Sequence, residues 1–124
     1  MKLSFEDERP IFLQIAEGIE QSILVGAYPE EEQVPSTTEI SLTYKINPAT
    51  ALKGVNRLVE EGILYKRRGV GMFVAKGAVG RVKEKRKGAF TEQYVTPLTR
   101  EAKRLGLTLN ETTQLIERSY EEND

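Results

Sequence analysis

"VPSTTEISLTYKINPATALKGVNRLVEEG", residues 34–62, contains two helix starts in close succession. Pro35 disfavours helix at Val34. Ser36, with Glu39 three residues on, forms a capping box, so a short helix begins here with Ile40 and Tyr44 facing inward. The second start follows at once. Asn47 is a good cap, and Pro48 suits the first helical position, where an amide N–H has no helical partner anyway. Ala51, Leu52, Val55, Leu58 and Val59 then form an apolar stripe, while Thr50, Lys53 and Arg57 share the opposite face. Gly62 is the expected stop. Only Lys45 and Ile46 separate the two helices, a spacing that predicts a helix-turn-helix. Gly54 lies inside the second helix, where glycine costs up to about 1 kcal/mol relative to alanine. A close approach by another helix and a tolerated defect both fit it.

The next stretch, "ILYKRRGVGMFVA" (63–75), reads as strand, turn, strand. Gly69-Val70-Gly71 lacks the third glycine of a dinucleotide fingerprint and opens into a strand, not a helix. It also lacks the Gly-Lys-Ser/Thr of a phosphate-binding loop. A hairpin tip carrying Arg67 and Arg68 fits better, facing either a phosphate backbone or a narrow minor groove. A solvated charged turn is the plain alternative.

Upstream, "RPIFLQIAEGIEQSIL" (9–24) has Phe12, Ile15, Ala16, Ile19, Ile23 and Leu24 at helical spacing, with Gly26 as a stop. "AYPEEEQ" (27–33) reads as a solvated loop. The order helix, helix, helix, hairpin is that of a winged helix-turn-helix. Downstream, "KGAVGRVKEKRKG" (76–88) reads as a basic link punctuated by glycines. Its charged run suits a nucleic-acid arm or the solvated start of a helix equally well. Phe90, Tyr94, Leu98, Ala102 and Leu105 then recur every three or four residues, and Pro97 should kink that helix or mark a joint. Thr108 with Glu111 caps one more helix, with Leu115, Ile116 and Tyr120 facing inward.

The fold expected is mainly α with a small β-hairpin: a winged helix-turn-helix over residues 1–76, then a two-helix dimerisation tail over 77–124. Roughly 48 residues are few for an independent domain. The tail stripe of Phe90, Tyr94, Leu98, Ala102, Leu105, Leu115 and Ile116 is therefore expected to pack against a second copy. Phe90 and Tyr94 would also suit a ligand pocket, although such stripes are more often plain packing.

The chain has 124 residues, no cysteine and no histidine. Disulfides, thiolate chemistry and the commonest general base and metal ligand are thereby excluded. No serine sits in Gly-x-Ser-x-Gly, and no acid pair is forced together, so neither an enzyme nor a cofactor is expected. No apolar run reaches the roughly 18–20 residues that span a bilayer. The start lacks a signal peptide's apolar region, so a cytoplasmic protein is expected. Net charge is −1, yet residues 63–88 carry nine basic and one acidic side chain, and residues 1–33 carry two basic and eight acidic. Positive charge thus gathers around the hairpin, as a nucleic-acid partner requires.

A helix placed second in such a pair can enter a major groove about 12 Å wide. Asn47, Ala49 and Thr50 lie at its leading end, and Lys53 and Arg57 follow on the same face. Backbone amides near Ser36, Thr37 and Thr38, and near Asn47 to Thr50, are further candidates for phosphate binding.

"PIFLQIAEGI", "VPSTTEI", "NPATALKGVNRLVEEGIL" and "RRGVGMFV" occur in that order over residues 10–75. Together they resemble the winged-helix DNA-binding domain of the GntR family of bacterial transcription regulators. The resemblance implies DNA contacts at Ser36, Thr38, Ala49, Thr50 and Lys53, and along the wing from Arg67 through Arg68 and Gly69 to Gly71. "TPLTREAKRLGLTLNET" (96–112) resembles the YtrA-type branch, which implies a dimerising tail and no larger effector-binding domain. Thr38 stands where the family usually has a guanine-reading arginine, which implies a different operator. The family's usual Gly-Asp-x-Leu-Pro-Ser becomes "EEEQVPS", so a different loop shape is expected before Val34.

These readings converge on a homodimeric repressor that binds a palindromic double-stranded DNA operator. A small-molecule effector stays unassigned. The rival is a protein-interaction module that reuses the winged fold. The basic hairpin and the Thr50/Lys53/Arg57 face favour DNA, because a partner-binding domain would not need both.

Overall fold

The computed structural model describes residues 1–123; Asp124, the end of the expected tail, lies outside them. The chain forms two compact units, Met1–Glu84 and Lys85–Asp124.

In the first unit, α1 (Ile11–Leu24) begins after Pro10 and buries Ile15, Ala16, Ile19 and Ile23, the positions its periodicity marks. α2 (Thr37–Tyr44) carries both halves of the capping box. Ser36 Oγ accepts from the Glu39 amide at 3.0 Å, and Glu39 Oε1 accepts from the Ser36 amide at 3.2 Å. Lys45, at φ 53, ends α2, and the buried Ser41 hydroxyl donates to the Ile46 carbonyl at 2.7 Å, closing the turn. α3 (Pro48–Glu60) starts where Asn47 Oδ1 accepts from the Ala49 amide at 2.8 Å.

Gly54 has a packing reason. A Cβ there would lie 2.7 Å from the Phe12 carbonyl oxygen and 3.0 Å from Ile15 Cγ2. The close approach of α1 explains the residue, and the tolerated-defect reading falls away. The inward face of α3 is Ala51, Gly54, Val55 and Leu58. Leu52, expected in that stripe, is exposed, because its position turns it off the α1 contact.

β1 (Leu64–Arg67) and β2 (Gly71–Val74) pair antiparallel, with Leu64 opposite Val74 and Arg67 opposite Gly71. The acidic loop before α2 is more than solvated chain. Glu31 donates its amide to the Val74 carbonyl at 2.7 Å, Val74 donates to Glu32 at 3.0 Å, and Val34 donates to Met72 at 2.9 Å. Residues 31–34 thus run along the free edge of β2 and lead directly into the α2 cap. Glu31 takes φ 69. That conformation costs a residue with a Cβ about 1–2 kcal/mol.

α4 (Ala78–Phe90) occupies what the sequence suggested was a link. Ala78 and Val82 are fully buried and belong to the same hydrophobic core as Ile19, Leu58 and Ile63. The basic run is therefore helix and not a separate arm. The Glu30 carboxylate caps this helix, accepting from the Gly77 amide at 2.8 Å and the Val79 amide at 3.1 Å. Arg81 Nη1 donates to the Gly62 carbonyl at 2.9 Å and the Lys76 carbonyl at 3.1 Å. The expected boundary at residue 76 precedes these contacts, so the first unit extends into α4.

The second unit continues through a π-helical turn (Thr91–Val95) into α5 (Thr96–Arg104), with α6 (Leu109–Glu122) after it. The widened turn sits just ahead of Pro97, whose ring crowds a regular helical carbonyl and whose nitrogen donates nothing. Thr96 donates to the Thr91 carbonyl, five residues back. The expected kink takes this form. Gly106, at φ 73, ends α5, and Thr108 Oγ1 accepts from the Glu111 amide at 3.1 Å.

Candidate nucleic-acid interface

The two helix starts differ in what they offer an anion. At α2, Ser36 occupies only the Glu39 amide, so the amides of Thr37 and Thr38 have no acceptor among the described residues. Thr38 itself is exposed. At α3, Asn47 occupies the Ala49 amide, Pro48 has none, and Thr50 donates to the Asn47 carbonyl at 3.0 Å. The start of α3 therefore presents side chains and the positive end of its dipole, but no spare amide. Residue types alone make the two starts look alike; the hydrogen bonds distinguish them.

Along α3, Asn47, Ala49, Lys53 and Arg57 are exposed, and Thr50 is half-buried. Lys53 Nζ sits 4.1 Å from the centroid of the Phe12 ring, a cation–π contact. Arg57 Nε lies 3.8 Å from Glu61 Oε1, one turn on. Phe12, Ala49, Lys53, Asn56 and Arg57 line a shallow depression of about 410 Å³. The aromatic floor supplied by Phe12 could not be read from α3 alone, because it comes from α1.

Arg67 and Arg68 are exposed at the hairpin tip. The Arg67 guanidinium lies 5.0 Å from the Phe73 ring centroid, and Tyr65 stacks on the same ring at 5.7 Å. Arg67 is thus held along the hairpin face, whereas Arg68 has no such rest. The Val70 amide donates to the Arg67 carbonyl at 2.9 Å, closing the turn, and Gly69 takes φ 77.

Elsewhere in this unit, amide hydrogen bonds from Gly77 and Val79 hold the Glu30 carboxyl below the usual carboxylate range. Glu30 escaped sequence reasoning because both of its partners lie over forty residues away in the chain.

The expected dimer residues divide in two. Ala102 is buried inside the second unit with Thr112, between α5 and α6. Phe90, Tyr94, Leu98, Leu105, Leu115 and Ile116 are exposed, and so is Tyr120, which was expected to face inward. The Phe90 and Tyr94 rings pack at 5.6 Å. Leu98, Leu105, Leu115, Ile116 and Tyr120 line an apolar depression of about 540 Å³. Among the described residues no cluster of metal-binding side chains occurs, and no helix is long and apolar enough to cross a membrane.

A sequence profile of the bacterial regulatory proteins of the gntR family matches residues 12–74. The HTH-type transcriptional regulator YhcF of Bacillus subtilis is 29% identical over 116 residues, 94% of each chain. The HTH-type transcriptional repressor NagR of B. subtilis is 32% identical over 76 residues, which are 61% of this chain and 31% of that longer one. A crystal structure of a GntR-family transcriptional regulator from Bacteroides thetaiotaomicron is similar with a TM-score of 0.80 at 31% identity, covering 92% of this chain and 99% of that one.

Proposed function

This chain belongs to the GntR family of DNA-binding transcription regulators, and on that premise we propose that it is a homodimeric repressor of the YtrA-type branch that binds a palindromic operator. The leading observation is the exposed arginine pair on a hairpin whose second strand is laddered to the residues leading into α2. In this reading α3 enters the major groove. Asn47, Ala49 and Thr50 meet base edges there, and Lys53 and Arg57 meet flanking phosphates. The free amides of Thr37 and Thr38, beside Ser36, take a backbone phosphate. The wing, from Arg67 through Arg68 and Gly69 to Gly71, lies along the neighbouring phosphate backbone or minor groove, where cations are favoured. Repression is supported by the resemblance to NagR, whose name states that role. Homodimerisation is supported by the apolar side chains that the second unit leaves in solvent.

The test is a salt series with duplex DNA of random sequence. Affinity should fall steeply with salt, because phosphate contacts release counterions. Arg67→Ala with Arg68→Ala should weaken binding and make the log–log slope shallower by about 2, close to 0.9 per lost contact. A flat response near zero slope for the natural protein would instead fit a module that binds other proteins.

A further inference from the structure

The geometry points to Gln33 as a positioning residue that fixes the tip of the wing relative to the start of α2. This inference rests on the DNA-binding reading above and concerns a residue outside that reading's contact set.

A two-stranded hairpin is only marginally stable by itself. Here the strands are four residues each, so the tip needs a second support if it is to hold one position. Backbone bonds from residues 31–34 secure the body of β2, at Met72 and Val74. None of these reaches the tip. The Gln33 side chain does, since its Nε2 donates to the Val70 carbonyl at 3.0 Å.

A second observation singles out the same amide group. Gly71 takes φ 145, and a Cβ built there would lie 2.5 Å from Gln33 Nε2. Any other residue at position 71 would displace the Gln33 side chain. The φ of Gly71 already favours glycine, and the absence of a Cβ also leaves the space that the Gln33 amide occupies. Gln33 itself lies three residues before the Ser36 cap. A single side chain therefore links the segment carrying the Thr37 and Thr38 amides to the turn carrying Arg68.

Such a link raises affinity by preorganisation, because less freedom is lost when the arginine meets its phosphate. Gln33 touches no DNA in this proposal; it acts through Arg68. The test uses Gln33→Met, which keeps the length of the side chain and removes the donor without adding charge. In the free natural protein, backbone order parameters at Arg68 to Val70 should be near those of a rigid backbone, about 0.85, and in the variant they should fall below about 0.6. Unchanged order parameters would overturn the proposal.

Affinity for a random-sequence duplex should fall by about 2- to 10-fold in Gln33→Met, the range of one net hydrogen bond. The same substitution made on an Arg68→Ala background should produce no further loss. An equal loss on both backgrounds would mean that Gln33 acts directly or through general stability, and would also overturn it. If the natural protein fails to bind duplex DNA at all, the DNA-binding reading falls, and the order parameters alone judge the role of Gln33.

Discussion

The two units use similar apolar stripes to different ends. In Met1–Glu84 the stripes of α1 and α3 meet each other, and Ile15, Ile19, Val55 and Leu58 are at most 1% exposed. In Lys85–Asp124, α5 and α6 bury Ala102 and Thr112, but Tyr94 in the π-helical turn stays 62% exposed and Leu105 at the end of α5 stays 68% exposed. Helical periodicity shows only that a face is apolar. Whether the covering surface lies in the same chain depends on how many other apolar faces are within reach. The first unit has three helices, a hairpin and the first turns of α4 to close one core. The second has few elements, so its faces remain open unless a second molecule covers them.

The largest expected effect tests that inference. Tyr94→Asp places a charge on the exposed apolar stripe, and burying an unpaired carboxylate against a partner costs several kcal/mol. Sedimentation equilibrium should find a dimer for the natural protein and a monomer for the variant. An unchanged dimer would remove Tyr94 from the contact, and a monomeric natural protein would mean that the open faces serve something else.

A smaller effect compares two helical glycines, one from each unit. Gly54→Ala forces a methyl group against the α1 backbone and should lower stability in urea by about 1–3 kcal/mol, despite alanine's better helix propensity. Gly88 has nothing within 4 Å of a built Cβ. There propensity acts alone, and Gly88→Ala should raise stability by up to about 1 kcal/mol. The same sign at both sites would erase the distinction drawn between a closed and an open unit.

Local signals carried most of the fold. The caps at Ser36, Asn47 and Thr108 depend on residues within three positions of one another, and each forms as its spacing requires. The hairpin followed in the same way from β-rich runs around glycines. Contacts distant in sequence were the ones that escaped. α4 was obscured by Gly80, Gly88 and a charged run, and its support comes from Glu30 and from burial of Ala78 and Val82. "EEEQ" resembles solvated loop because its acids show no alternation, yet its backbone borders β2. At the candidate site, cap chemistry identified both helix starts. It did not reveal that Asn47 and Pro48 leave α3 no spare amide, or that Phe12 lies beneath Lys53.

The reading of a paired, sequence-specific regulator meets its most direct test in selection of bound sequences from a random duplex pool, using the full chain. Enrichment of an inverted repeat is expected, with half-sites about one helical turn apart or a multiple of it, since each copy would place one α3 in one major groove. Recovery of sequences with no shared motif, or of a single unpaired half-site, would contradict it.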